Sequence, residues 1–187
     1  QSNARFFTES EFLDEIKKGK SIIRMGDGEI SLLHGRSIHY QIYKKELALG
    51  LKKTIQEHSS ECSYVMSIPV FVNYSNTELN KTPNKLSCWL PLKVEFRRVF
   101  NKEAGYADAH FFYYRDKMMS FFKSFVENKP VIFISNAEKN ALIRNKINYP
   151  ADFVDTPSEH SFESIDTICN QIDAIIEKDS TKKYVLV

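Results

Sequence analysis

Six short apolar runs punctuate the chain, at 21–24, 64–69, 110–114, 131–134, 153–154 and 184–187, with helix-like stretches between them. Runs this short, bounded by polar and turn residues, fit buried strands better than helices. Parallel strands need long crossovers, and a helix is the usual one. The alternation therefore predicts an α/β chain with a Rossmann-like, mostly parallel sheet flanked by helices. At 187 residues and 42% hydrophobic content the chain can bury a real core, and its length favours one domain over 5–187.

The connecting segments carry their own signals. Thr8-Glu9-Ser10-Glu11 has capping-box spacing ahead of Phe12, Leu13 and Ile16, and Gly19 offers a stop. Leu47, Leu51 and Ile55 recur every four residues, which predicts a helix over 44–57. The polar, proline-bearing stretch 73–91 reads as a long loop with room for one short helix, followed by helices over 92–100, 117–127, 138–145 and 162–178. No repeat or low-complexity tract interrupts the pattern.

Composition removes several classes of function. Lysine and arginine number 26 against 24 acids, and a net charge of +2 gives no overall basic field for nucleic acid or an anionic membrane. No apolar run reaches the roughly 18 residues of a membrane span. Cys62, Cys88 and Cys169 are odd in number, far apart and without a CxxC pair, which points away from a disulfide framework or zinc site and towards a cytoplasmic location. The opening Gln1-Ser2-Asn3-Ala4 reads as the scar of a cleaved expression tag. The chain ends on the strand-like 184–187, so more of the domain is expected beyond it.

In open parallel sheets, ligands sit beyond the carboxyl ends of the strands. The segments that follow the apolar runs are polar: 24–29, Arg115-Asp116, 135–140 and 155–160. The most informative is Arg24-Met25-Gly26-Asp27-Gly28-Glu29. Residues two apart share a side of an extended segment and diverge on a helix. Asp27 and Glu29 meet on one cation, therefore, only if the backbone there is not helical. Gly26 and Gly28 make such a bend accessible and let a ligand approach the main chain. Two close carboxylates repel each other unless a divalent ion sits between them, and Mg²⁺ or Mn²⁺ held this way takes its remaining ligands from water and substrate phosphates. Arg24 adds a positive charge. The plainer reading makes Asp27 a helix cap and Glu29 a first-turn acid favoured by the helix dipole.

The segment Arg-Met-Gly-Asp-Gly-Glu, followed by His34-Gly35 and by Tyr40-Gln41 ahead of Leu47, Leu49 and Leu51, resembles the GT-D class of bacterial glycosyltransferases. The likeness extends more loosely through Tyr114-Arg115, the loop after 131–134 and the Thr156-Pro157 turn. It implies a Rossmann-like fold on which Asp27 and Glu29 bind a divalent metal, Mn²⁺ or Mg²⁺, together with the diphosphate of a UDP-sugar. The sugar would pass to a glycan acceptor on a glycoprotein or a surface polysaccharide. The chain departs from the family pattern in its middle, where it offers Ser135-Asn136-Ala137-Glu138, and the sequence stops at Tyr184–Val187, the strand after which family members keep a charged, glycine-bearing loop.

On that reading Arg24 neutralises phosphate or fixes the loop, and Gly26 and Gly28 give the ligand access. Tyr40 and Gln41 line a base or sugar pocket, and Arg115 binds phosphate. Glu138, Glu159, His160 and Asp116 are candidates for the acceptor's general base. Each has a structural counterpart: a surface ion pair for Arg115, half-buried packing for Tyr40, solvation for His160. Two rival functions use the same residues, a metal-dependent phosphoesterase and a catalytically silent binding or scaffold domain. No HExxH, GxSxG or GxxxxGK[ST] pattern supports a zinc protease, serine hydrolase or P-loop enzyme.

Overall fold

The computed structural model describes residues 3–81, 85–110, 120 and 129–186. The chain forms two compact units, Gln1–Ile38 with Ile42–Tyr114, and His39–Gln41 with Arg115–Val187. Each is built on a parallel sheet flanked by helices.

The first unit holds β1 (Arg5–Phe6), β2 (Ser21–Arg24), β3 (Tyr64–Ile68) and β4 (Gly105–Asp108), in the order β1-β4-β3-β2 with every pairing parallel. Strand β3 is flanked on both sides, so its residues Val65 to Ile68 are all buried and read as a continuous apolar run. Strand β2 lies at the edge and is only half covered. Helices α1 (Glu9–Lys17), α2 (Asp27–Leu33), α3 (Lys45–Glu57), α4 (Asn76–Lys81) and α5 (Lys85–Val99) complete the unit. The core gathers Ile55, Met66, Ile68, Leu79, Phe96 and Tyr106. The capping box forms at α1 as read: Thr8 Oγ1 accepts from the Glu11 amide at 3.3 Å and Glu11 Oε2 accepts from the Thr8 amide at 2.8 Å.

The second unit carries β5 (Val131–Asn136), β6 (Ala151–Thr156) and β7 (Lys183–Leu186) in the parallel order β6-β5-β7. Ile168, on the helix Ile165–Lys178, packs with Ile132, Ile134 and Val154 of the sheet.

Some expectations change, and others lie outside the described residues. The stretch 73–91, expected as a long loop with room for one short helix, contains α4 and the first half of α5, and α5 runs through Pro91. A Ser75 cap explains α4: its hydroxyl accepts from the Glu78 amide, and the Ser75 amide donates to Glu78 Oε2. Tertiary packing holds α5, whose Trp89 ring lies 3.9 Å from Phe71 while Phe96 and Phe100 stack in the core. Two strands had no apolar signature, the two-residue β1 and the small-residue β4, Gly-Tyr-Ala-Asp. The aromatic run expected as a strand lies, after His110, outside the described residues, as does the helix expected over 117–127 apart from Ser120. Ala4, set aside as tag, is buried and exchanges two hydrogen bonds with the Asn73 side chain.

His58 ties β3 and β4 to α3. Its ring stacks on Tyr64 and leans on Tyr106, and Nε2 faces the Gly105 carbonyl at 3.0 Å. A carbonyl needs a donor, so the ring is the neutral Nε2–H tautomer. Nδ1 is buried with no hydrogen-bond partner among the described residues. Burial, aided by the Lys20 charge, holds the His58 pKa below its ordinary 6.5 against the opposing pull of the Gly105 carbonyl. The unfolded chain therefore takes up the proton first, and stability present above pH 6.5 is lost as pH falls towards the folded-state value. The urea midpoint is expected to drop between about pH 7.5 and about pH 5.5; His58→Gln, which keeps a donor to Gly105 and does not titrate, is expected to flatten that slope.

Candidate functional site

Strand β2 delivers the Arg-Met-Gly-Asp-Gly-Glu segment to the carboxyl edge of the first sheet. Arg24 pairs with Ser67 of β3, and the Met25 amide extends the pairing with a 2.8 Å bond to the Ser67 carbonyl. Met25 is buried, and the chain turns at Gly26 into α2.

That turn corrects the geometric expectation for the acidic pair. Asp27 and Glu29 lie in the first turn of a regular helix, not in an extended bend. At about 100° per residue their side chains leave the axis roughly 200° apart, so they do not aim at one point. Gly26, in an extended conformation, caps the helix, and its amide donates to Glu29 Oε2 at 2.7 Å. Glu29 thereby satisfies one of the amides a helix start leaves open. The role of Gly26 is space: a Cβ there would lie 3.2 Å from Glu29 Oε2 and 3.4 Å from Arg24 Nη1. The guanidinium and the carboxylate thus crowd over the same glycine. Gly28 is buried in the helix, not open to a ligand.

Asp27 stands apart. It is exposed, and among the described residues no hydrogen bond or ion pair engages its carboxylate. Helix α2 is held by Ile30 and Leu32 in the core and by His34 Nδ1 against Glu95 Oε2 at 3.6 Å.

The neighbouring strand contributes residues that sequence reading passed over. β4 ends at Asp108, whose Oδ1 accepts from the Val70 amide at 3.3 Å, the His110 amide at 3.0 Å and His110 Nδ1 at 3.1 Å. The available signal was an Asp-x-His directly after a strand, hidden because Gly105–Asp108 did not read as one.

In the second unit Tyr40, Gln41 and His160 come together. The His160 amide donates to the Tyr40 carbonyl at 2.8 Å, and Gln41, buried, accepts from the Phe162 amide through Oε1 at 3.4 Å. His160 adopts a left-handed conformation, φ 56°, which is uncommon outside glycine, although asparagine, aspartate and histidine enter it more readily than other residues. Glu138 and Glu159 are exposed, Glu138 in the first turn of the helix Ala137–Arg144, which Asn136 caps through the Lys139 amide. Asn140 beneath them is buried and donates to the Ser135 and Val154 carbonyls and to Asp155 Oδ1. Arg115 and Asp116 lie outside the described residues.

A hard divalent cation is a test of fit for the first unit. Among the described residues no three His, Cys, Asp or Glu side chains gather as a metal cage. One exposed carboxylate, Asp27, suits the mode in which Mg²⁺ or Mn²⁺ is held by one or two carboxylates and completed by phosphate and water. Glu29, bound to Gly26, is spent as a cap through one oxygen.

A polar turn at the carboxyl edge of a parallel α/β sheet places the protein among Rossmann-like ligand-binding folds. A family model for the glycosyltransferase GT-D fold matches residues 22–187, and the chain belongs to that family. A probable glycosyl transferase of Streptococcus gordonii is 39% identical over 56 residues, 30% of this chain and 8% of that protein, so the chain spans under a tenth of that relative's length. Among solved structures, a DUF1792 glycosyltransferase from Streptococcus sanguinis is 19% identical with a TM-score of 0.69, covering 98% of this chain and 73% of the other. A DUF1792 domain described as a distinct glycosyltransferase fold is 23% identical with a TM-score of 0.71, over 98% and 70%. Among the described residues, no helix is long and apolar enough to cross a membrane.

The two acids at the turn are expected to separate in a denaturation experiment. Glu29→Ala removes the acceptor for the Gly26 amide and is expected to lower stability by about 1 kcal/mol. Asp27→Asn touches no recorded partner and is expected to stay within about 0.5 kcal/mol of the parent. Equal losses in both variants would contradict the division of labour.

Proposed function

We propose that the chain transfers a hexosyl group from a nucleotide-diphosphate sugar, UDP-linked, to a glycan acceptor on a glycoprotein or surface polysaccharide, with Mn²⁺ or Mg²⁺ as cofactor. Membership of a glycosyltransferase family supports the reaction class. The observation that carries the finer reading is the exposed Asp27 carboxylate, next in sequence to the glycine over which the Arg24 guanidinium lies, on the sheet edge where such folds bind ligands.

The residues divide the work as follows. Asp27 holds the metal, and Glu29 fixes the turn through Gly26. Arg24, always charged and forked, takes phosphate oxygens. When bound, the cation offsets the negative charge that grows on the departing diphosphate. Gly26 keeps the crowded space above it clear of a side chain. Tyr40, Gln41, His160, Glu138 and Arg115 are substrate-contact candidates within the second unit. The free thiols Cys62 and Cys169 suit a reducing cytoplasm.

A thermal-denaturation series with UDP tests this. At a hundredfold excess over Kd, UDP with Mn²⁺ is expected to raise Tm by about 5–10 °C. UDP without the metal, and either ligand with Asp27→Asn, are expected to give little or none of that rise. An equal rise in Asp27→Asn removes the metal role of Asp27. Turnover of p-nitrophenyl phosphate with no response to UDP would favour the phosphoesterase instead, and no response to either favours a silent scaffold.

A further inference from the structure

We propose that a cleft at the amino edge of the first sheet binds an anionic saccharide, one that carries a carboxylate or a phosphate. The saccharide part rests on the glycosyltransferase reading above and makes the acceptor glycan an acidic one; the anionic part rests on the cleft itself.

The cleft has a volume of about 400 Å³ and is lined by Arg5, Phe7, Glu15, Lys18, Lys20 and Ser60. That volume lies within the roughly 300–1,000 Å³ of small-molecule sites. Arg5 is the first residue of β1, Lys20 directly precedes β2, and Ser60 lies in the connection between α3 and β3. Ser21 pairs with Tyr64, which joins the starts of β2 and β3. The cleft therefore sits where strands begin, at the end of β2 away from the Gly26 turn. The four residues of β2 put about 13 Å between the two ends at about 3.3 Å each, so a ligand here is clear of Asp27 and Arg24.

Three cations share the cleft with one carboxylate. Glu15 takes Lys18 on Oε1 at 2.5 Å and Lys20 on Oε2 at 2.6 Å, so both of its oxygens are engaged. Lys20 also donates to the Ser60 carbonyl at 2.6 Å, and Arg5 donates through Nη2 to Glu11 Oε1 at 2.8 Å. An ammonium has three donors and a guanidinium five. Lys18, with one bond, keeps two; Lys20, with two, keeps one; Arg5, with one, keeps four. A surplus of charged donors around one engaged carboxylate is matched by a ligand that brings both acceptors and negative charge. Carboxylate and phosphate oxygens do so, and the guanidinium fork fits either.

The Phe7 ring supplies an apolar wall. Its Cζ lies 2.4 Å from where a Cβ on Gly105 would fall, so the ring is seated on bare backbone, and the Arg5 guanidinium stands 5.2 Å from the ring centroid. A sugar can pack its C–H groups against such a wall while its anionic substituent reaches the cations, whereas an inorganic anion leaves the wall unused. Lys20 and Glu15 are each 17% exposed and fix the floor of the cleft; Lys18 and Arg5, at 64% and 61%, turn towards a ligand without disturbing the core.

The test is an amide NMR titration of the full isotope-labelled chain with glucuronate, glucose 6-phosphate, glucose and inorganic phosphate. At least one of the two anionic sugars is expected to bind with Kd about 1 mM, shifting amides within 5–20 and at Ser60 and leaving 24–29 unmoved; which one binds names the source of the charge. Arg5→Ala and Lys18→Ala, both at exposed positions, are each expected to weaken that binding about fivefold, and Glu15→Gln, which releases both lysines from their carboxylate, to tighten it. Failure of both anionic sugars to bind, glucose binding as tightly as they do, inorganic phosphate matching glucose 6-phosphate, or parental affinity in both alanine variants would each overturn the proposal. None of these outcomes touches the Tm response to UDP and Mn²⁺. Asp27→Asn is expected to bind the anionic sugars like the parent, and a parent chain that binds them without responding to UDP and Mn²⁺ overturns the donor reading while the cleft stands.

Discussion

The hydrogen bond from the Gly26 amide to Glu29 Oε2, at 2.7 Å, decides how the carboxyl edge of the first sheet is built. Without it a strand would have to turn directly into a helix beneath a buried Met25 and leave an open amide at the junction. With it the strand ends, the helix begins one residue later, and Arg24 is drawn over the same glycine. The Gly26 position cannot carry even a methyl group without moving either the guanidinium or the carboxylate. Two acids one glycine apart are tolerated because they do different jobs: one accepts a backbone hydrogen bond at the helix start, and the other is presented to solvent.

That division explains why a site can sit on so short a helix. Asp27 gains its position from a turn whose geometry is fixed by its neighbours on both sides, not from helix length. Ile30 and Leu32 anchor α2 from below, and the His34–Glu95 contact fixes its far end to α5. Rigidity in this arrangement comes from the sheet and core, so a cation or phosphate at the edge would pay little ordering cost in the protein.

The sequence made the central strands legible and the edges obscure, for a physical reason. β3 and β5 are flanked on both sides, so nearly every residue is apolar and the run stands out. β4 is flanked too, yet it is written Gly-Tyr-Ala-Asp, because the Phe7 ring occupies the space where a Cβ at Gly105 would fall, 2.4 Å away. A strand chosen for close approach loses the apolar signature that announces strands. Missing β4 also hid Asp108 and His110. For the acidic turn, spacing told where the carboxylates were but not the backbone between them: the same Asp-Gly-Glu serves an extended bend or a helix start, and only the capping bond to Gly26 separates the two. Pro91 misled in the opposite direction, since local propensity argued for a break and packing of Trp89 and Phe96 carried the helix through it.

The second unit repeats the logic with different parts. There the buried Asn140 does the joining, donating to the ends of β5 and β6 at once, while Asn136 caps the helix that begins between them. Its neighbouring loop bends back through His160, whose left-handed backbone is held by the Tyr40 carbonyl. A residue other than glycine persists in that conformation only where its surroundings over-determine it, and such positions concentrate at binding sites. Each unit therefore shows the same pattern: polar side chains, Glu29 in one and Asn140 in the other, spend hydrogen bonds fixing the carboxyl edge of a parallel sheet, while exposed acids, Asp27 in one unit and Glu138 and Glu159 in the other, face outward beside them.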